Sequence, residues 1–182
     1  MSAVSSWQTR ANALTALRLV AAPALVAAIC GAESALALAI FALAVATDFA
    51  DGWVARRYDE ASPLGGFMDH AVDAAFVTSG SAALALGGVL PALLPILIAF
   101  AFTQYALDSR VGASRPLRRS SLGRWNGIAY YVVVAVPITR DALELGWPPA
   151  ALVSGIGWLL VGSTLLSMID RLRASRRQRS DI

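Results

Sequence analysis

The sequence predicts an all-α integral membrane protein with six transmembrane helices and with both termini in the cytoplasm. Of its 182 residues, 57% are hydrophobic, and the mean hydropathy of +0.62 is too high for an ordinary soluble domain. The apolar residues form six stretches of about 20 residues, the length of a helix that crosses the hydrocarbon core of a bilayer. The arginines cluster between and after these stretches, in segments that would lie on one side of the membrane.

Turn-forming residues separate the spans. Pro23 lies inside the first span and predicts a mild kink. A loop at residues 58–64 contains Pro63, and a turn at residues 87–91 precedes the fourth span. Residues 108–125 form a predicted basic loop before the fifth span. The predicted spans cover residues 13–31, 35–57, 65–86, 91–107, 126–137 with an extension to residue 145, and 148–168.

The first apolar stretch has a second explanation. Arg10 precedes an apolar run, which is also the pattern of a signal peptide. Further spans follow, however, and no clear cleavage site appears near Cys30, so we predict a membrane span. Residues 1–11 are polar, and Trp7 would place them at the level of the lipid headgroups.

The arginines set the predicted orientation. All 15 basic residues are arginines. All except Arg140 lie in or beside the N-terminal segment, the second-to-third loop, the fourth-to-fifth loop or the tail. By the positive-inside rule these segments face the cytoplasm. We therefore expect a protein of the inner (cytoplasmic) membrane, with a membrane domain at residues 1–173 and a basic tail at residues 174–182 on the anionic membrane surface.

Four carboxylates interrupt the apolar pattern: Asp48, Asp51, Asp69 and Asp73. At about 100° per residue, the first two share one helix face, and the last two share a face one turn apart. Two helices joined by a short loop would bring these faces together near the cytoplasmic surface. Each carboxylate at membrane depth costs about 2.5–3.5 kcal/mol on insertion scales, so the cluster requires a cation. Ligands that offer only oxygen suit a hard divalent ion such as Mg²⁺.

Small residues and an arginine flank the acids. Gly52, Ala55, Gly65 and Gly66 leave room for a bulky ligand beside the metal. Arg56 offers a planar fork of donors that matches a phosphate group. The sequence therefore predicts a joint metal and phosphate site. The alternative is that the acids pair with arginines as structural polar contacts.

The pattern DxxDGxxAR, followed after eight residues by GxxxDxxxD, resembles the signature of the CDP-alcohol phosphatidyltransferase family. The resemblance implies transfer of a phosphatidyl group from a CDP-alcohol such as CDP-diacylglycerol to the hydroxyl of a small alcohol, with release of CMP. It also implies a homodimer. The matching positions, without departure, are Asp48, Asp51, Gly52, Ala55, Arg56, Gly65, Asp69 and Asp73.

The same resemblance implies a role for each acid. Asp48 and Asp69 would each bridge two metal ions, expected to be Mg²⁺ with Mn²⁺ as the alternative. Asp51 would bind one ion and Asp73 the other. Asp73 is also the implied catalytic base, since a carboxylate beside a divalent metal can take the proton of an attacking hydroxyl.

A second stretch, NALTALRLVAAP at residues 12–23, is similar to the NxLTxxRxxxxP start of many family members. It implies contact with the CDP-linked lipid, although Asn12 as a helix cap is a structural alternative. Ser62 lies where relatives often have a serine or threonine that touches phosphate, with a loop serine or helix cap as the alternative. The implied CDP-alcohol contacts are Asn12, Ala13, Leu14, Thr15, Gly52, Ala55, Arg56, Ser62 and Gly65.

The acceptor alcohol is less well specified. Arg110 and Arg124 are best placed to bind a phosphate on the acceptor. The other loop arginines are explained by membrane orientation and by contact with lipid headgroups. Inositol-phosphate-using members carry a basic residue where this chain has Asp108, and the match to glycerophosphate-using members is partial. Glycerol 3-phosphate is the first expectation. His70 points about 100° off the acid face and is expected to pack rather than to bind metal.

Two other functions are weighed against this one. Membrane prenyltransferases of the UbiA type also place paired aspartate motifs and Mg²⁺ against a pyrophosphate, but they are longer and lack the DGxxAR continuation. A divalent-cation transporter would also need intramembrane acids, but Arg56 among them would repel the ion. The expected partners are thus a CDP-alcohol, a small alcohol and the lipid bilayer, with no nucleic acid.

Overall fold

The computed structural model describes residues 10–57, 63–111 and 121–180, and in these ranges the chain is helical with no strand. Side chains are described within residues 15–50, 65–107 and 122–174, and at Arg57. The prediction of an all-α fold is confirmed. The helices are α1 (Arg10–Cys30), α2 (Ser34–Arg57), α3 (Pro63–Leu86), α4 (Leu93–Val111), α5 (Ser121–Ala142) and α6 (Ala150–Ser180).

Membrane-compatible length and hydropathy are clearest in α6. Its segment Ala150–Ala174 has 25 residues and a mean hydropathy of 1.8, which suffice to cross a bilayer. By the same criterion, the apolar segments Thr15–Cys30, Ser34–Ala50 and Leu93–Leu107 are shorter, and α6 is the one such helix among the described residues. The crossing of the membrane by all six helices stays a prediction.

Several helix ends differ from those predicted. Helix α4 continues to Val111 and α5 begins at Ser121, so the predicted basic loop is shorter. No proline or glycine separates Leu107 from Val111, and a helix can continue through polar residues of fair propensity. Helix α3 begins at Pro63 because proline suits the first helical position, whose N–H has no partner within the helix. Helix α6 continues through the predicted domain boundary at residue 173.

A tight turn sets α1 beside α2. Residues 31–33 connect the two helices, and the Glu33 N–H donates to the Ala28 carbonyl over 2.9 Å. The helices therefore run antiparallel, and residues at similar distances from the turn lie side by side. This arrangement brings Arg18 next to Asp48.

The core lies where α1, α3 and α5 meet. A Cβ on Gly80 of α3 would lie 3.1 Å from Leu25 of α1 and 3.1 Å from Val134 of α5. The absence of a side chain at Gly80 therefore lets the three helices approach closely. Phe41 of α2 and Phe76 of α3 extend this core, with ring centroids 5.9 Å apart.

Helices α4 and α6 complete the bundle. Helix α4 packs on α3 and α6, and α6 packs on α5. A Cβ on Gly157 of α6 would lie 2.6 Å from Cδ of Pro91, so the helix passes close to the turn that precedes α4. Two hydroxyls join α5 to α6, since Tyr130 and Thr164 are hydrogen-bonded at 2.7 Å.

Candidate active site

Three of the four motif carboxylates converge on one guanidinium group. Asp48 lies on α2, whereas Asp69 and Asp73 lie one turn apart on α3. Arg18 of α1 donates from Nη1 to Asp48 Oδ1 over 2.6 Å. It also donates from Nη1 to Asp73 Oδ1 and from Nη2 to Asp69 Oδ1. The structure therefore brings together acids that are up to 25 residues apart in the sequence (Asp48 to Asp73).

The side chains of this cluster differ in their exposure to solvent. Arg18 is 0% exposed, whereas the side chains of Asp48, Asp69 and Asp73 are 37%, 28% and 22% exposed. The arginine is thus shielded from solvent, whereas the acids are accessible on one side, which we call the opening. One guanidinium neutralises one of the three carboxylates, so the open side of the cluster favours a further cation.

The donor set at the opening suits a hard divalent ion. Asp48, Asp69 and Asp73 offer carboxylate oxygens, which are the ligands that Mg²⁺ prefers, and their partial exposure leaves room for water or phosphate ligands. The fourth predicted ligand, Asp51, lies in α2 one turn beyond Asp48, and its side chain is outside the described residues. The three described acids therefore fit a magnesium site.

His70 lies at the edge of the cluster. One ligand atom of each of Asp69, His70 and Asp73 lies within 4.8 Å of the others. The imidazole is nevertheless exposed, and its ring centroid lies 6.0 Å from that of Tyr105 on α4 in an edge-on contact. This contact agrees with packing, and the exclusion of His70 from metal binding stays a prediction.

A tyrosine of α5 also holds Asp73. The Tyr131 hydroxyl donates to Asp73 Oδ1 over 3.1 Å. Its ring packs against two phenylalanines, with centroids 6.1 Å from Phe41 and 6.4 Å from Phe76. The aromatic packing fixes the ring, and the ring in turn fixes the direction of the hydrogen bond.

No site role was predicted from the sequence for Arg18 or Tyr131. A signal for Arg18 was present, because an arginine inside the first apolar stretch requires an acidic partner at the same depth. No comparable signal marked Tyr131. Its neighbour Tyr130 is also aromatic and hydrogen-bonded, but to Thr164 of α6.

Three other residues of the predicted site are described. Thr15 is buried in α1, one turn before Arg18, and Gly65 lies one turn before Asp69 on α3. Arg124 is exposed in the first turn of α5. Of the remaining predicted contacts, Ser62 lies outside the described residues, and the side chains of Asn12, Ala13, Leu14, Gly52, Ala55, Arg56 and Arg110 are likewise not described, although their backbones are helical.

Polar contacts continue from the acid cluster towards α6. The guanidinium carbon of Arg171 lies 5.4 Å from the ring centroid of Tyr105, the same ring that His70 contacts. The Ser163 hydroxyl donates to Asn126 Oδ1 over 2.6 Å. The first contact places a basic group of α6 beside the ring that contacts His70 of α3, and the second joins the first part of α5 to α6.

Comparison with known proteins gives a family match over most of the chain. The model of the family described as CDP-alcohol phosphatidyltransferase matches residues 8–168. A probable phosphatidylglycerophosphate synthase of Mycobacterium tuberculosis is 38% identical over 145 residues, covering 76% of this chain and 68% of the relative. A CDP-diacylglycerol–glycerol-3-phosphate 3-phosphatidyltransferase of Pseudomonas fluorescens is 30% identical over 152 residues, covering 76% of this chain and 74% of the relative. A protein of the same name from Cereibacter sphaeroides is 31% identical over 144 residues, covering 73% of this chain and 64% of the relative.

Proposed function

The chain belongs to the CDP-alcohol phosphatidyltransferase family, and we propose that it transfers the phosphatidyl group of CDP-diacylglycerol to glycerol 3-phosphate and releases CMP. Family membership confirms the resemblance found in the motif and identifies the chain as a transferase. The single observation that supports a working site is the convergence of Asp48, Asp69 and Asp73 at one opening. The prenyltransferase and transporter alternatives lack comparable support.

The proposed cofactor is a pair of Mg²⁺ ions, with Mn²⁺ as a substitute. Asp48 and Asp69 would bind both ions, Asp51 one and Asp73 the other. The described acids support this assignment because they offer oxygen ligands in a partly exposed cluster whose charge Arg18 only partly neutralises. When bound, such ions stabilise negative charge on the pyrophosphate and on the departing nucleotide phosphate.

Asp73 is the proposed general base. Its carboxylate is partly exposed, and Arg18 and Tyr131 both donate to Oδ1. These two hydrogen bonds orient the carboxylate so that its other oxygen can accept a proton from the acceptor hydroxyl. The hydroxyl oxygen then bonds to the phosphorus of the phosphatidyl group, the bond from that phosphorus to the bridging oxygen breaks, and CMP leaves with the electron pair.

The proposed acceptor is glycerol 3-phosphate. The names of the relatives from P. fluorescens and C. sphaeroides include this acceptor. Arg124 is exposed in the first turn of α5, and Arg110 lies in the last turn of α4, so both bound the link between these helices. A guanidinium at either position would bind the acceptor phosphate through paired hydrogen bonds.

We place the protein in the cytoplasmic membrane, with six spans, cytoplasmic termini and the acid cluster near the cytoplasmic surface. Large apolar side chains project outward from several helices, as a lipid-facing surface requires. Examples are Val20, Phe49, Phe100 and Leu159, each more than half exposed. The end of α4 that carries Arg110 and the arginine-rich end of α6 lie at the same end of the bundle as the acids. A homodimer is proposed on family grounds.

The test is CMP release by the purified protein with CDP-diacylglycerol, Mg²⁺ and one acceptor at a time. The acceptors are glycerol 3-phosphate, inositol phosphate, serine and inositol. We expect CMP release with glycerol 3-phosphate and not with the others. Release with a different acceptor would overturn the acceptor assignment, and failure with every acceptor, together with failure to bind CDP-diacylglycerol, would overturn the function.

A further inference from the structure

Arg18 is the most deeply buried charge among the described side chains, and it lies at the meeting point of three helices. It is 0% exposed, and it bonds acids of α2 and α3 from a position on α1. A buried arginine without acidic partners would be strongly destabilising, and a partly buried cluster of acids without a cation would also be destabilising. Arg18 and the carboxylates therefore stabilise each other's burial.

The position of Arg18 argues against direct contact with a substrate. The acids above it are 22–37% exposed, whereas the arginine side chain is 1% exposed. A pyrophosphate that approached from the opening would meet the carboxylates first. The guanidinium would have to leave all three acids to reach it. Arg18 is therefore placed as a partner of the acids rather than as a phosphate ligand.

A divalent ion bound at the opening would share its ligands with Arg18. The guanidinium already forms ion pairs with Asp48, Asp69 and Asp73, which are the acids proposed above as metal ligands. Two cations that share a set of carboxylates repel each other, and burial of one of them limits screening by solvent. The arginine would thus oppose metal binding while it stabilises the cluster.

We propose that Arg18 is a built-in counter-ion of the acid cluster, which holds α1 against α2 and α3 at low metal concentration and lowers the affinity of the cluster for divalent cations. The inference rests on the metal site of the proposed function and adds a positioning residue to it. A weakened metal site has a chemical consequence. The ions then depend more on further ligands, which the anionic pyrophosphate of the donor supplies.

Metal-dependent stability of the Arg18→Gln variant tests the inference. The melting temperature of the purified protein is measured in EDTA and again with increasing Mn²⁺. We expect the variant to melt lower than the wild type in EDTA but to show a larger rise with Mn²⁺, because the ion replaces the missing charge. Arg140→Gln is the matched control: it removes the ion pair with Asp141 in the last turn of α5, so its Mn²⁺ response should equal that of the wild type.

Direct titration of Mn²⁺, followed by electron paramagnetic resonance, gives a second readout. Loss of the opposing charge should tighten Mn²⁺ binding by about tenfold or more. Arg18→Lys keeps the charge and should keep the affinity of the wild type. A gain in affinity in the lysine variant equal to that in the glutamine variant would overturn the inference, since charge would not be its cause.

The outcomes separate this inference from the metal site itself. Equal Mn²⁺ responses in the wild type and in Arg18→Gln would overturn the role of Arg18 and leave the metal site in place. No Mn²⁺ binding to the wild type would overturn the metal site. If Arg18→Gln can be purified only in Mn²⁺, the inference is supported, and failure to fold in both Mn²⁺ and EDTA would contradict it.

Discussion

The Tyr131 hydroxyl of α5 donates a hydrogen bond to Oδ1 of Asp73 on α3 over 3.1 Å. Arg18 of α1 donates to the same oxygen. The carboxylate that we propose as the base is thus held by two helices that both pack against α3. Its orientation depends on the packing of α1 and α5, and not on α3 alone.

Removal of this hydrogen bond should slow the reaction. Tyr131→Phe keeps the ring packed against Phe41 and Phe76 but loses the donor to Asp73. A hydrogen bond to a charged group is worth about 1.5–3 kcal/mol, so we expect kcat to fall about tenfold or more, with little change in KM for CDP-diacylglycerol. Tyr130→Phe is the control, because its hydroxyl bonds Thr164 instead. An unchanged kcat in Tyr131→Phe would show that the hydrogen bond from Tyr131 to Asp73 does not contribute to turnover.

Close packing of α6 gives a prediction on stability alone. Gly157→Ala would place a Cβ 2.6 Å from the Pro91 ring, whereas a Cβ on Gly155 would meet nothing within 4 Å. Overpacking of this kind costs about 1–3 kcal/mol. We expect a lower melting temperature for Gly157→Ala and no decrease for Gly155→Ala. Equal melting temperatures for the two variants would show that α6 does not pass as close to the α3–α4 turn as described.

Replacement of the metal should separate binding from turnover. Mg²⁺ requires near-octahedral geometry, whereas Ca²⁺ accepts more ligands at longer and more variable distances. We expect removal of metal with EDTA to abolish CMP release and Mg²⁺ to restore it. Ca²⁺ should support binding of CDP-diacylglycerol with little turnover. Full activity in Ca²⁺ would contradict the strict geometry that we assign to the acid cluster.

Binding of the acceptor phosphate is tested at Arg124. Arg124→Gln loses the charged fork, and we expect KM for glycerol 3-phosphate to rise about tenfold while KM for CDP-diacylglycerol is unchanged. Arg173→Gln is the matched control, because Arg173 is also exposed and lies in the arginine-rich part of α6. An equal effect of both substitutions would indicate a general effect of surface charge.

The fold could be predicted because each helix has a long apolar stretch bounded by turn residues. The turn predicted at residues 87–91 lies there, and the connection at residues 31–33 lies near the gap between the first two predicted spans. The ends of α4 and α6 could not be read from hydropathy, because helices continue through Arg110 and Arg173 once packing has formed them. Charged residues mark the end of an apolar stretch, but they do not end a helix.

The site could be predicted in part. Residues one turn apart on a helix lie on the same face, so the spacing of Asp69 and Asp73 was sufficient to place them together. The contacts of Arg18 and Tyr131 depend on how α1 and α5 are rotated against α3. That rotation is set by packing at Gly80 and Phe41, between residues far apart in the sequence.

The central claim is that the acid cluster around Asp73 performs the transfer. The most direct test compares Asp73→Asn with the wild type in two assays, CMP release with glycerol 3-phosphate and equilibrium binding of CDP-diacylglycerol. Asparagine keeps the size of the side chain but cannot accept the proton. We predict that CMP release is abolished while binding of CDP-diacylglycerol stays measurable. Near-normal CMP release by Asp73→Asn would contradict the account.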